Sequence, residues 1–175
     1  MVSTMMSNTS LLSQAVKRIK VACDSRDSYS SIYGAGAGPL ILARTDARSP
    51  LGLAEAIRRC NAFRDAGADI TFLEAPRDRE EMRRYCKEVG GWKLANMIEG
   101  GETPVLGREE LAEMGYTVAA YPLSLLGASI KAIRSSIETV SSDSPEEIFS
   151  TAMDFEDLKV AVGFGAMDEF EKRYQ

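Results

Sequence analysis

The sequence contains no histidine, and its three cysteines form no CxxC pair. Without histidine the chain can supply no histidine general base, no Ser-His triad and no histidine metal ligand. The spacing of Cys23, Cys60 and Cys86 favours neither a zinc knuckle nor a disulfide framework. We therefore expect three reduced thiols that pack as small apolar side chains.

Long apolar runs and an excess of positive charge are also missing. No run of about 18 apolar residues occurs, so we expect no membrane-spanning helix. A net charge of −5 and a pI near 4.9 argue against a nucleic-acid or anionic-membrane partner. The N-terminal segment lacks the pattern of a secretory signal, although its Ser/Thr-rich, acid-free start is compatible with an organellar presequence. We predict a cytoplasmic protein, with a mitochondrial or other organellar location as the alternative.

Short apolar segments alternate with helical patterns along most of the chain. The apolar segments are PLILART, ADITFLEAP, WKLANMIEG and YTVAAYPLS. Near-continuous apolar strands separated by helices are typical of a parallel sheet covered by helices. Four such units make half of a (β/α)8 TIM barrel. The sequence therefore predicts an α/β fold, with a half-barrel and one preceding helix over residues 1–140 and a helical extension over residues 141–175.

Local signals place several element boundaries. A first helix is predicted from Leu11, and the Ser/Gly-rich stretch SRDSYSSIYGAGAG after it is predicted to be a loop. The glycines of this stretch precede a strand instead of joining a strand to a helix, which favours a flexible connector over a phosphate-binding loop. Gly67 is expected at the left-handed position behind a helix, and Ser144 with Pro145 predicts a helix start.

Each predicted strand ends in polar residues: Arg44 with Asp46, Glu74, Asn96 with Glu99, and Ser124. The C-terminal edge of a parallel sheet or barrel is where ligands bind. The planar guanidinium of Arg44 suits a carboxylate ligand, and the alternative is an ion pair with Asp46. Asp46 is better suited to orienting Arg44 or a helix N-terminus than to acting as a base.

Five strings in order carry a resemblance to a known family: LILARTDAR, AGADITFLEAP, LANMIEGGETPVL, ELAEMGYTVAAYPLSLLGASIKAI and FEDLKVAVGF. Together they resemble the isocitrate lyase / phosphoenolpyruvate mutase superfamily, in the branch with methylisocitrate lyase, carboxyvinyl-carboxyphosphonate phosphorylmutase and petal-death-like proteins. The resemblance runs from about Leu11 to the C-terminus and corresponds to the C-terminal half of the family's barrel.

The resemblance implies a carbon–carbon lyase that cleaves a small 2-hydroxy or 2-oxo di- or tricarboxylate through an enolate held by Mg²⁺. It implies that Arg44 and Asn96 bind substrate carboxylates and that Glu74 meets a substrate hydroxyl or a metal-bound water; pairing of Glu74 with Arg44 is the alternative. Glu99 is expected to bind substrate or to hold its loop. Ile98 stands where true isocitrate lyases have a hydroxyl residue, which disfavours isocitrate, and the YPLS end of the last strand resembles methylisocitrate lyases and phosphorylmutase-like members. The resemblance also implies a homo-oligomer formed by exchange of C-terminal helices.

The sequence lacks two family motifs, the DxDxGxG metal motif and the K-[KR]-C-G-H segment with its proton-transfer cysteine. We therefore assign no metal ligand and no certain catalytic residue to this chain. Two alternatives to an active lyase stay open. One is a non-catalytic fragment or an assembly subunit that completes a barrel with another chain, and the other is a phosphonate P–C phosphorylmutase.

Overall fold

The computed structural model describes residues 11–142 and 144–174, so the possible presequence lies outside the described residues. In chain order the elements are α1 (Leu12–Tyr33), β1 (Leu42–Thr45), α2 (Arg48–Leu51), α3 (Leu53–Asp65), β2 (Ile70–Leu73), α4 (Arg79–Glu88), β3 (Trp92–Asn96), α5 (Arg108–Met114), β4 (Val118–Ala120), α6 (Ser124–Val140), α7 (Pro145–Thr151), α8 (Phe155–Ala161) and α9 (Phe164–Lys172).

The four strands form one parallel sheet in the order β1-β2-β3-β4. Arg44 lies opposite Phe72, Phe72 lies opposite Leu94, and Asn96 lies opposite Ala120. A helix follows every strand, and all four C-terminal strand ends meet at one edge of the sheet. The predicted α/β fold of four strand–helix units is confirmed.

One face of this sheet, which we call the covered face, packs against helices. Its core includes Leu73 and Ala95 from the strands and Met82, Tyr85 and Leu111 from α4 and α5, each at most 4% exposed. A buried hydroxyl on this face has its partner, because the hydroxyl groups of Thr71 and Tyr85 lie 2.7 Å apart. The covered face is thus mainly apolar, and its Thr71 and Tyr85 hydroxyls satisfy each other.

The opposite face, which we call the open face, is only partly covered by the described residues. Leu42, Trp92 and Val118 are 40%, 51% and 38% exposed. Side chains alternate between the two faces along each strand, so Arg44 shares this face with Leu42, and Asn96 shares it with Trp92. Arg44 and Asn96, two of the predicted binding residues, therefore lie on the same face as these exposed apolar side chains.

Helix α1 is longer than the sequence analysis predicted. It continues to Tyr33, so the loop predicted for SRDSYSSIYGAGAG is wrong up to that residue, and only the glycine-rich remainder is a loop. The hydroxyls of Ser28 and Ser31 donate to carbonyls of the preceding turn at 2.8 and 2.7 Å, so they are satisfied within the helix. Arg26 then ties this turn to Asp69 at 2.7 Å. Serine content therefore does not interrupt a helix whose other face has a partner.

Two predicted helix boundaries are confirmed. Gly67 follows α3 with a φ of 104°, in the left-handed region that favours glycine. Ser144 is the N-cap of α7, where its side chain accepts a hydrogen bond from the backbone N–H of Glu147 and Pro145 occupies the first turn. Capping chemistry is local, which is why the sequence alone identified both positions.

The described residues after Ser124 form a second compact unit with helices α6 to α9. No residue described in this unit is buried. Its exposed apolar side chains include Leu126, Ile130, Ile133, Ile137, Val140, Phe149, Phe155, Leu158, Phe164 and Met167. The predicted domain boundary between residues 140 and 141 stays a prediction. None of the helices described here has both the length and the hydrophobicity needed to cross a membrane.

Candidate functional site

Arg44, next to last in β1, lies at the centre of a small charged group at the C-terminal edge of the sheet. Its Nε donates to Asp46 Oδ1 at 2.6 Å, and its Nη2 lies 3.3 Å from Glu74 Oε2. The guanidinium also lies 5.0 Å from the centre of the Phe72 ring. The hydrogen bond to Asp46 raises the pKa of Arg44 most, partial burial opposes it, and the charge of Glu74 adds to it. Half of the Arg44 side chain is exposed, so the charged fork remains open to a ligand.

Glu74, the residue directly after β2, has one oxygen without a hydrogen bond. Its Oε2 is buried and receives no hydrogen bond from the residues described here. The 3.3 Å separation from Arg44 makes an ion pair, but its geometry is not that of a hydrogen bond. Buried polar oxygens in native proteins nearly always have a donor. A ligand hydroxyl at this position would donate the hydrogen bond that this oxygen lacks.

Asn96 and Glu99 follow the third strand. Asn96 is the last residue of β3, on the open face with Arg44, and no described residue forms a hydrogen bond with its side chain. Glu99 accepts a short hydrogen bond from the Ser124 hydroxyl, and this bond lowers the pKa of Glu99. The structure thus brings Arg44 and Glu74 together and joins Glu99 to Ser124. Among the described residues, no hydrogen bond or ion pair connects these two pairs.

The cysteines do not supply a nucleophile or a proton-transfer group here. All three are free thiols, as the sequence predicted. Cys23 and Cys60 are buried, and Cys86 is only partly buried. Burial raises the pKa of Cys60 to about 12 and that of Cys86 to about 11. Thiols with such pKa values stay protonated near neutral pH and are poor nucleophiles. What remains at the edge is chemistry for binding and orienting a carboxylate: a guanidinium, an amide and an acceptor oxygen.

A resident Mg²⁺ does not fit the residues described. These residues contain no group of three or more cysteine, aspartate or glutamate side chains that could hold a metal ion. The best-placed oxygen, Glu74 Oε2, lies 3.3 Å from the Arg44 guanidinium, whose charge disfavours a cation at the same place. Mg²⁺ also requires several oxygen ligands in near-octahedral geometry. The structure therefore gives no support for a metal held by this part of the chain alone.

Sequence reasoning missed one ion pair close to the site, that of Arg48 and Glu81. The two residues are far apart in the chain but form a two-pronged pair that is largely buried, with Arg48 Nε 2.8 Å from Glu81 Oε2. A local signal was present, because Asp78 caps α4 and Glu81 stands at the third helical position. That signal identifies the helix start but not the arginine that Glu81 meets.

Comparison with known proteins places these features in a family. Residues 6–141 match the family model described as phosphoenolpyruvate phosphomutase. The chain is 35% identical over 162 residues to 2,3-dimethylmalate lyase of Eubacterium barkeri, a match that covers 92% of this chain and 53% of that protein. It is 38% identical over 138 residues to chloroplastic carboxyvinyl-carboxyphosphonate phosphorylmutase of Arabidopsis thaliana, covering 77% of this chain and 41% of that protein.

Comparison with solved structures agrees with these sequence matches. A crystal structure of 2,3-dimethylmalate lyase superposes with a TM-score of 0.70 at 31% identity and covers 89% of this chain and 53% of that one. Phosphonopyruvate hydrolase in complex with oxalate and Mg²⁺ gives a TM-score of 0.74 at 20% identity over 94% and 56% of the two chains, which shows a shared fold. The chain thus spans about half the length of the relatives it matches, as a predicted half-barrel should. The protein belongs to the phosphoenolpyruvate mutase / isocitrate lyase superfamily.

Proposed function

We propose that this chain supplies the carboxylate-binding edge of a carbon–carbon lyase that acts on a small 2-hydroxy or 2-oxo di- or tricarboxylate. Arg44 and Asn96 would each bind a carboxylate, and Glu74 would accept a hydrogen bond from the substrate hydroxyl. Glu99, held by Ser124, would support the loop beside them or contact the acid. A methylisocitrate-like acid fits this set, because it combines several carboxylates with one hydroxyl.

The observation that carries the proposal is the unbonded, buried oxygen of Glu74 beside a half-exposed guanidinium. Leaving a buried acceptor without a donor costs about 1–3 kcal/mol, so the arrangement is unfavourable until a ligand supplies the donor. A 2-hydroxy acid supplies it, and its carboxylate meets Arg44 at the same time. The names of the relatives support this substrate class, since they include lyases of 2,3-dimethylmalate and of 2-methylisocitrate.

Mg²⁺ is the cofactor that the family resemblance implies, but its ligands are not among the residues described. The chemistry proposed for this chain is therefore limited to binding and orienting the acid. We expect negligible Mg²⁺-dependent cleavage of 2-methylisocitrate by the 175-residue chain on its own.

The test is a chemical-shift titration of the chain with oxalate and with malate. We expect weak, saturable binding with a Kd of about 1 mM, and a loss of at least about tenfold in affinity in Arg44→Ala, since a charge-assisted pair is removed. Arg84→Ala is the matched control: Arg84 is 47% exposed and pairs with Glu88 at 2.6 Å, as Arg44 is 49% exposed and pairs with Asp46 at 2.6 Å. Equal binding by wild type and Arg44→Ala would contradict the proposal.

A second candidate function is that of a non-catalytic assembly subunit, favoured by the open face of the sheet. Leu42, Trp92 and Val118 expose apolar surface there, and β1 and β4 are the two edge strands of the described sheet. Unpaired edges and apolar faces are usually covered in stable proteins. A polypeptide that adds the other half of the barrel expected from the family resemblance would cover both. The apolar side chains exposed on α6 to α9 support the further prediction of a homo-oligomer formed through the C-terminal helices.

These two candidates are separated by adding the missing part in trans. The portion of 2,3-dimethylmalate lyase outside the match is mixed with this chain, and cleavage of 2,3-dimethylmalate is measured with Mg²⁺. Turnover that falls about 100-fold in Arg44→Ala would support the lyase edge. A stable complex without turnover would support the assembly subunit.

The match to the phosphoenolpyruvate phosphomutase model, together with the Arabidopsis relative, keeps a phosphonate phosphorylmutase as a third possibility. Turnover of a phosphonate in place of the malate derivative in the same mixture would identify it. The Arabidopsis relative is chloroplastic, which supports an organellar location as the alternative to the cytoplasmic one.

A further inference from the structure

Arg48 and Glu81 form an ion pair between the first turns of α2 and α4, the helices that follow β1 and β2. Arg48 opens α2, shortly after β1, and is 8% exposed; Glu81 lies in the first turn of α4. Two guanidinium nitrogens donate to the two carboxylate oxygens, with Nε to Oε2 at 2.8 Å. A two-pronged pair of this kind fixes orientation as well as distance. It therefore holds the segment after β1 in a set position against the start of α4.

The same pair is hydrogen-bonded to the segment after β2, and a charge in the segment after β3 acts on it. Glu81 Oε2 also accepts a hydrogen bond at 2.9 Å from the backbone N–H of Arg77, in the link between β2 and α4. The charge of Glu102, in the link between β3 and α5, acts on the Arg48 guanidinium and adds to the rise in its pKa, which the bond to Glu81 mainly causes. Hydrogen bonds thus join the pair to the segments after β1 and β2, which carry Arg44 and Glu74, whereas the segment after β3 acts on it only through charge.

The middle segment needs such support because its backbone is strained. Ala75, directly after Glu74, has a φ of 57° and is the non-glycine residue with positive φ within the described part of the chain. Left-handed backbone is unfavourable for alanine, and the following Pro76 restricts it further. Such a conformation persists when its surroundings hold it. The bond from Arg77 to Glu81 holds the chain just after the strained residue, which fixes where the Glu74 carboxylate points.

We infer that Arg48 and Glu81 are positioning residues of the binding edge, which hold the segments after β1 and β2 so that Arg44 and Glu74 face one acid. The inference rests on the proposed function, because the pair has a positioning role only if an acid binds at this edge. Neither residue touches the proposed ligand itself.

The test compares Arg48→Lys with a matched control, Arg59→Lys. Arg59 pairs with Glu55 at 2.9 Å, and its side chain is 7% exposed against 10% for Arg48, but that pair lies within α3. Lysine keeps the charge and loses the fork in both variants. The readouts are the Kd for malate, which carries the hydroxyl that Glu74 would accept, by chemical-shift titration, and the amide hydrogen exchange of residues 75–79. Should Arg48→Lys not fold, the isosteric Glu81→Gln replaces it.

We expect Arg48→Lys to weaken malate binding about tenfold, below the roughly 100-fold loss that a misplacement of about 1 Å can cause, and to speed exchange of residues 75–79. Arg59→Lys should leave both readouts unchanged even if its melting temperature falls equally. Unchanged affinity in Arg48→Lys, or an equal loss in the control, would overturn the inference. If wild type itself does not bind malate, the proposed function fails first. Faster exchange alone would then show that the pair only stabilises the fold, and the positioning role would fail as well.

Discussion

The two faces of the sheet differ in what their apolar residues contact. On the covered face Leu73 is 2% exposed and packs with α4 and α5, whereas on the open face Leu42 is 40% exposed. The strands have apolar residues on both faces, a composition typical of strands buried on both sides. The described residues therefore include packing partners for one face of the sheet only. The proposed binding residues Arg44 and Asn96 lie on the other face, at its C-terminal edge.

The largest expected effect comes from the same substitution made on each face. Leu73→Ala should lower the free energy of unfolding by about 2–5 kcal/mol, because it opens a cavity in a packed core. Leu42→Ala should lower it by less than about 1 kcal/mol, because much of that side chain already meets solvent. Urea denaturation of both variants gives the comparison. Equal losses would mean that the open face is packed in solution, for example in an oligomer.

A smaller effect is expected from removing one buried hydroxyl. Tyr85→Phe leaves Thr71 without its partner on the covered face and should cost about 1–3 kcal/mol. Tyr121→Phe is the control, because Tyr121 is 44% exposed and water can replace its contacts. The double variant Tyr85→Phe/Thr71→Val should recover part of the loss, since no unpaired group remains. If Tyr85→Phe is neutral, the covered face is wetter than its burial indicates.

Local sequence patterns predicted the covered face, whereas only the number of strand–helix units, half of those in a full barrel, indicated an open one. Strand positions, the Gly67 boundary and the Ser144 cap depend on neighbours in the chain, so local patterns identify them. Apolar residues such as Trp92 and Leu42 read as buried strand positions, and nothing local says that their partner is missing from the chain described.

The candidate site was predictable to a similar extent. Arg44 and Glu74 were expected at one edge because parallel strands end together, and they form an ion pair there. The Arg48–Glu81 pair was not found, since the two residues are far apart in sequence and each has an ordinary local explanation. The left-handed backbone of Ala75 was not predicted either, because alanine gives no signal for it.

The Arg48–Glu81 pair should make the free energy of unfolding depend on pH. The hydrogen bond from Arg48 lowers the pKa of Glu81 below its ordinary value of 4.5, and the backbone bond from Arg77 adds to this. A lowered pKa means that the pair's contribution to stability is fully present above pH 4.5 and is lost as pH falls through the lower, folded-state value. Glu81→Gln should therefore flatten the acid limb of the urea midpoint against pH.

The control for this pH effect is Glu88→Gln, which removes a pair with Arg84 that is 41–47% exposed. Exposed pairs contribute little, so this variant should keep the wild-type pH dependence. An acid limb that is equally flat in both variants would mean that the burial of the Arg48–Glu81 pair has no thermodynamic consequence.

The smallest expected effect is Val118→Thr on the open face. Val118 is 38% exposed, so replacing a methyl group by a hydroxyl of similar size should change the unfolding free energy by less than about 0.5 kcal/mol. The same change at Val89, which is 1% exposed, buries a hydroxyl and should cost about 1–3 kcal/mol. If a complementing polypeptide covers the open face, Val118→Thr should weaken its binding by a comparable amount, which titration calorimetry would measure. The Val→Thr change at position 118 would then cost as much as the change at Val89 only in the complex. A Val118→Thr variant that binds the added half as tightly as wild type would show that the added half does not bind to this face.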